Sequence, residues 1–245
     1  MPKWPISRAV VLAAGKGTRM GSFTYETPKP LLPVQGRPML EHILDRLASA
    51  GIQEFFIAVG YRHETIEEHF RNWPVPIQFR VQVPVDGTGS AARLAKNFTR
   101  NEPFLLTYAD ILCDPSEYVR CGAILNQHPG AAGVLAVKAV DDPWKGAAVY
   151  EEQGRIGDIV EKPPKGTSTT HWNSAGFYAF RSILFDYLDL QQRSPRGEYE
   201  LTSALDMMIK DGLELRTSPI TGEWRDVGRP EDLAALNETF TSRDA

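Results

Sequence analysis

The sequence predicts an α/β fold built on a mostly parallel sheet covered on both faces. Three observations carry this. Apolar, β-rich runs alternate with helical patterns over the first half of the chain; those runs are continuously apolar, as strands buried on both faces are; and the first runs straight into a glycine-rich loop. Parallel strands joined by helices need right-handed crossovers, and open α/β sheets bind ligands where loops leave the carboxyl ends of strands.

In chain order, AVVLAA reads as the first strand. MLEHILDRLASAG carries apolar residues at helical spacing and stops at a glycine. EFFIAVG is a strand, HETIEEHFRNW a helix, IQFRVQV a strand, GSAARLAKNF a helix and FLLTYAD a strand. DPSEY reads as a helix start, with Asp114 as cap before Pro115. After about residue 130 the rhythm changes: AAGVLAVKAV, AAVYEE and RIGDIVEK are strands joined by turns, followed by NSAGFYAF and a helix at LTSALDMMIKDG. This second region is expected to be more antiparallel. No Ser- or Gly-rich linker, repeat or low-complexity tract divides the chain, so one domain is expected over 1–245, with parts at about 1–130 and 131–245.

Composition narrows the function classes. A chain of 245 residues with net charge −4 and no block of Lys or Arg is not built for nucleic acid or an anionic membrane. Cys113 and Cys121 have no metal spacing and imply no disulfide framework, and the five histidines form no HExxH pattern. A reducing cytoplasm fits best. The N-terminal apolar run is too short for a signal peptide, and no run reaches the roughly 18 apolar residues of a membrane span.

The loop LAAGKGTRM, Leu12 to Met20, is the first candidate site. Gly15 and Gly17 relieve steric restriction, so successive backbone N–H groups can turn toward an anion, while Lys16 and Arg19 add charge. A phosphate chain is the natural occupant. Neither GxxxxGK[ST] nor GxGxxG is present, and on its own the stretch is equally a charged surface turn.

Further motifs follow: ETPKPLLPVQGRPML at 26–40; Gln82 with Gly87-Thr88; Asp110 after an apolar strand; Glu161-Lys162-Pro163; Gly176; GEYELT at 197–202; and WRDVGRPEDL at 224–233. In this order, and over nearly the whole chain, they resemble the sugar-phosphate nucleotidylyltransferases. The resemblance implies a Rossmann-like three-layer α/β/α nucleotidyltransferase fold with a smaller antiparallel sugar-binding region. It also implies the reaction of a nucleoside triphosphate (NTP) with a sugar 1-phosphate to give a nucleotide sugar and pyrophosphate. That reaction is an in-line attack on the α-phosphorus and needs no protein nucleophile. It needs aligned anions, neutralised charge and exclusion of water.

The same resemblance assigns residues. Arg19, with Gly15, Gly17 and Thr18, would grip the triphosphate; Lys29, between Pro28 and Pro30, would stand over the reaction centre. Lys162 would bind the incoming sugar phosphate and Glu161 the sugar hydroxyls. Asp110 and Asp226, which by residue type alone serve equally as helix caps or turn residues, would be paired as Mg²⁺ ligands. Gln82 offers a donor and an acceptor to uracil or thymine, with Leu12, Ala14, Gly87 and Thr88 completing the nucleotide pocket. Gly146 and Gly176 would admit the sugar ring, Asn173 would contact it, and Glu198 is either a sugar contact or a helix cap.

Two departures from the family pattern stand out. Ala109 replaces the glycine that precedes the metal aspartate in many relatives, and Asn173 lies three residues before Gly176 where two is usual. The chain stops soon after PEDL, without the β-helix acyltransferase domain of bifunctional relatives, so one activity is expected. The expected partners are NTP and sugar 1-phosphate; the sequence leaves a homo-oligomer open. Rival readings are a cytidylyltransferase acting on a non-sugar phosphate such as phosphocholine, a noncatalytic nucleotide-sugar sensor, and a glycosyltransferase. The last lacks its expected DxD motif, since Ile-Leu-Cys separates Asp110 from Asp114.

Overall fold

The computed structural model describes residues 6–241, with side chains described through 238; the ends of the expected 1–245 domain, 1–5 and 242–245, lie outside the described residues. The first half contains β1 (Arg8–Ala13), two 3-10 turns (Thr18–Thr24, Lys29–Leu31), a small hairpin of β2 (Pro33–Val34) and β3 (Arg37–Pro38), α1 (Met39–Ser49), β4 (Glu54–Val59), α2 (His63–His69), β5 (Ile77–Val81), α3 (Thr88–Arg93) and β6 (Phe104–Tyr108). Then come β7 (Ile111–Cys113), α4 (Pro115–Gln127), β8 (Ala131–Ala139), β9 (Ala147–Glu152), β10 (Arg155–Glu161) and β11 (Trp172–Phe180). The chain closes with α5 (Leu184–Leu190), α6 (Leu201–Lys210), β12 (Glu214–Pro219), β13 (Trp224–Asp226) and α7 (Pro230–Thr241).

Nine strands form one sheet in the order β5-β4-β1-β6-β11-β8-β12-β10-β9. The half from β5 to β6 is parallel throughout; β11 enters antiparallel between β6 and β8, and β9 and β10 continue antiparallel at the far edge. The sheet is therefore mixed, and the expected antiparallel region is a continuation of the parallel one. Every residue of β1 is buried, because the strand is central and covered on both faces.

Alternation along the strands sorts the core into two layers. Ala9, Val11 and Ala13 face a cluster supplied by α1, α2, α4 and α7; Val10 and Leu12 face one supplied by α3, α5 and α6. This is the three-layer α/β/α arrangement. On α1, Met39, Leu40, Ile43, Leu44 and Leu47 are all fully buried, each contributing about 1.5–3 kcal/mol of apolar transfer. Asp114 caps α4 through Ser116 N, with Pro115 at the first helical position, as the sequence indicates. No helix among the described residues is long and apolar enough to cross a membrane.

Candidate active site

The opening loop leaves β1 at the carboxyl edge of the parallel half and turns back on itself through Gly17, whose φ is 66°. A Cβ there would stand 2.9 Å from Lys29 Cβ, so glycine lets the loop lie directly on Lys29. Thr24 Oγ1 fastens the loop from behind by donating to Gly17 O and Gly21 O, at 3.2 Å each. Around Gly15 a Cβ would meet nothing within 4 Å, and Gly15, Lys16, Thr18 and Arg19 are exposed, so this face of the loop is open. Lys29 itself is buried, held by the turn that starts at Pro28, and its Nζ reaches Asp110 Oδ2 at 2.5 Å.

A short ribbon places the two aspartates together. β13 pairs antiparallel with β7 so that Asp226 stands opposite Ile111, and Val227 N donates to Asp110 O at 2.9 Å. The residue at 226 is reached by solvent, yet the protein around its carboxyl and the neighbouring Asp110 push its pKa up to about 6, against the opposing pull of Lys29 and Arg19. A Cβ on Gly228 would lie 3.4 Å from both Arg19 Nη1 and Asp226 Oδ1, so these two side chains converge over that glycine. Two carboxylates and two cations, from the start, middle and end of the chain, thus stand together. Among the described residues no group of three or more His, Cys, Asp and Glu gathers as a metal cage. The pair suits an ion that completes its shell with phosphate oxygens and water, as Mg²⁺ does.

Gln82, expected at the base, is buried, and its Nε2 donates to Gly87 O at 2.9 Å and Ser90 Oγ at 2.6 Å, with a longer contact to Asp86 Oδ1 at 3.5 Å. The paired donor-and-acceptor role expected for this amide is therefore not available: both N–H groups are used inside the fold, leaving Oε1. The carbonyls of Leu12 and Ala14 each accept one hydrogen bond, from Ala109 N and Tyr61 N, which leaves each oxygen one further lone pair. Gly87 (φ 131°) meets Tyr199: a Cβ would fall 2.3 Å from Tyr199 O. Thr88 Oγ1 accepts from Leu201 N at 2.9 Å, capping α6 from outside the helix. Both residues expected at the nucleotide therefore also fasten the second half of the chain to the first.

The second half carries the residues expected on the acceptor side. Lys162 follows β10 with φ 44°, a left-handed conformation costly for lysine, and its N donates to Gly146 O at 2.8 Å. Its Nζ is exposed, 3.9 Å from Glu161 Oε1. Glu161 Oε2 accepts from Thr202 Oγ1 at 2.7 Å, while Arg196 Nη1 lies 3.6 Å from Glu161 and 2.7 Å from Glu200. Burial, then the charge of Glu161, raises the pKa of Glu200. Glu198 is exposed, and its backbone O accepts from Ser194 N. The carboxylate beside Glu161 is thus that of Glu200, two residues further on.

The glycines here make room for protein. A Cβ on Gly146 would lie 2.4 Å from Asn173 Oδ1, a buried oxygen with no partner, while Asn173 Nδ2 donates to Ser174 O at 2.8 Å. Gly176 (φ 80°) occupies a bulge in β11, against Ile111 and Tyr108. Tyr108 joins the two clusters: burial raises its pKa well above the usual phenol value, with Tyr178, Glu161 and Asp110 adding in turn. Arg196, Glu200, Thr202 and Gly228 were not singled out from sequence, although all lie inside or beside quoted motifs; residue type gave no sign of which of two nearby glutamates turns inward.

The profile of the family described as nucleotidyl transferase matches residues 8–243. The bifunctional protein GlmU of Methanococcus maripaludis is 33% identical over 236 residues, covering 96% of this chain and 54% of its own length. This chain thus spans about half the length of that relative. The UTP–glucose-1-phosphate uridylyltransferase AglF of Haloferax volcanii is 33% identical over 235 residues, covering 92% of this chain and 93% of its own. Among solved structures, a UDP-glucose pyrophosphorylase complexed with UDP-glucose superposes with a TM-score of 0.88 at 22% identity, covering 97% of this chain and 99% of that one, a likeness of fold.

Proposed function

The chain belongs to the nucleotidyl transferase family, and we propose that it transfers a nucleotidyl group from an NTP, UTP or dTTP, to a sugar 1-phosphate, releasing pyrophosphate. The observation that carries this reading is that two charged clusters both lie near Tyr108, where the charges of Asp110 and Glu161 act together. One, of Arg19, Lys29, Asp110 and Asp226, is made from the start, middle and end of the chain. The other, of Glu161, Lys162, Arg196 and Glu200, lies across Tyr108.

In this reading a phosphate oxygen of the sugar phosphate attacks the α-phosphorus, the bond from that phosphorus to the β-phosphate bridge breaks, and the bridge electrons leave with pyrophosphate. Arg19 and the open face of the glycine loop hold the triphosphate and receive the charge that develops on the leaving group. Lys29 holds the Asp110 carboxylate and adds positive charge beside the α-phosphate. Lys162 holds the attacking phosphate, and Glu161 accepts from sugar hydroxyls. Asp110 and Asp226 fit Mg²⁺: they are hard oxygen donors, and burial followed by their mutual repulsion raises the pKa of Asp226. When bound, such an ion supplies charge neutralisation on the phosphates.

The test is a matrix of NTPs against sugar 1-phosphates, scored for pyrophosphate release with and without EDTA. Release is expected with UTP or dTTP and a hexose 1-phosphate, abolished by EDTA and restored by excess Mg²⁺. Faster turnover of CTP with phosphocholine would overturn the substrate assignment; no release with any pair would overturn the reaction.

A further inference from the structure

The base pocket holds a hydrogen-bond chain whose directions are all forced. Asp86, on the turn before α3, receives Arg193 Nη2 on Oδ2 at 3.1 Å and faces Ser90 Oγ with Oδ1 at 2.6 Å. An ionised carboxylate only accepts, so Ser90 spends its one proton on Asp86; Gly87 O, at 3.0 Å, is the weaker neutral alternative and would consume the same proton. Ser90 can then only accept from Gln82 Nε2. The second amide proton points at Gly87 O, a carbonyl that accepts and never donates. Reversing the amide would set oxygen against oxygen at one contact and against a hydroxyl with no proton to give at the other. Gln82 therefore has a single orientation, and Oε1 is the end left for a ligand.

We infer that Asp86 and Ser90 are positioning residues for base selection: they hold Gln82 with its acceptor outward, so that among pyrimidine nucleotides the pocket selects a ring N–H donor. Uracil and thymine carry that proton at N3; cytosine presents a bare acceptor there, and two acceptors facing each other leave both unpaired. Arg193 extends the chain into the second half of the molecule, its guanidinium stacking 4.8 Å above the Tyr199 ring. The inference rests on the nucleotidyl-transfer reading and adds to it the residues that set the base.

The experiment titrates UTP, CTP and N3-methyl-UTP into the full chain by calorimetry, alongside steady-state kinetics. The wild-type protein is expected to bind UTP at least tenfold more tightly than either of the others. Ser90→Ala, which leaves the amide held by Gly87 O and by the long 3.5 Å contact to Asp86 Oδ1, should narrow the UTP/CTP ratio at least threefold by raising the KM for UTP, with kcat and the KM for sugar 1-phosphate little changed. Ser90→Thr should restore the ratio, and Asp86→Asn should follow Ser90→Ala. Equal binding of UTP and N3-methyl-UTP by the wild type overturns the inference without recourse to any variant, as does a Ser90→Ala protein that weakens UTP and CTP by the same factor. Turnover with a preference for CTP also overturns it while leaving nucleotidyl transfer intact; failure of every NTP to react brings down the underlying reading as well.

Discussion

Lys29 Nζ lies 2.5 Å from Asp110 Oδ2, so a lysine fixed by the opening loop holds a carboxylate delivered by the fourth strand of the parallel half. The pair is partly buried, with side-chain exposures of 11% and 21%, which strengthens each charge's dependence on the other. Asp110→Asn should lower kcat by two orders of magnitude or more, roughly 3 kcal/mol of transition-state stabilisation. The fold should survive, because Val227 N bonds to the main-chain oxygen of Asp110. A variant that melts normally and keeps full Mg²⁺-dependent turnover would sink the metal assignment.

Lys162 and Arg19 should divide the phosphates between them. Lys162→Ala is expected to raise the KM for sugar 1-phosphate strongly and to lower kcat, with little change in NTP affinity. Arg19→Ala should show the opposite bias, since its loop belongs to β1. Titrating each ligand into each variant at constant Mg²⁺ decides it; equal loss of both ligands in both variants would count against the division.

Asp226 should leave a pH signature on stability. Its folded-state pKa is raised to about 6 from an ordinary 3.8, so between these values the native protein holds a proton that the unfolded chain releases. The folded state is therefore penalised progressively as pH rises through that window. Asp226→Asn removes the penalty, and in metal-free buffer its melting temperature relative to wild type should climb from pH 4 and level off above about 6.5. A difference that stays flat across that range would show that the site does not hold Asp226 as described.

Gly87→Ala should be strongly destabilising. It combines a φ of 131° with a Cβ 2.3 Å from a backbone oxygen that has no flexible end to yield. A loss of about 2–4 kcal/mol is expected in chemical denaturation, together with detachment of the 191–200 segment, read as faster amide exchange at Tyr199 and Gly89. Wild-type stability with unchanged exchange would contradict this contact.

Much of the architecture can be read from the sequence because its signals are long. After Arg8 and Glu54, β1 and β4 are unbroken apolar runs, α1 has clean helical spacing, and Asp114-Pro115 marks a helix start. The site is less legible because its decisive contacts are short or distant. β7 and β13 have three residues each, too few for any periodicity, yet their register is what sets Asp226 beside Asp110. The parallel pairing of β12 with β8 leaves no local trace, since the two strands are separated by β9, β10, β11 and two helices. The resemblance and its amide make Gln82 a candidate base contact, but which of its atoms remain free depends on Ser90 and Gly87. Glu198 and Glu200 are alike in sequence and differ only in how the segment before α6 turns.

The insertion of β11 between β6 and β8 has a mechanical consequence. Phe177 to Phe180 pair with Thr107 to Phe104 on one side, while Tyr178 to Phe180 pair with Leu135 to Gly133 on the other. Any seam between the two halves would have to tear the backbone ladders of β11, whose last six residues are buried. The two halves are therefore one continuous sheet, with no hinge between two separate bodies. The same continuity leads us to expect one calorimetric transition, with the calorimetric and van't Hoff enthalpies equal, and no intermediate in which one half has melted while the other still holds its ligand.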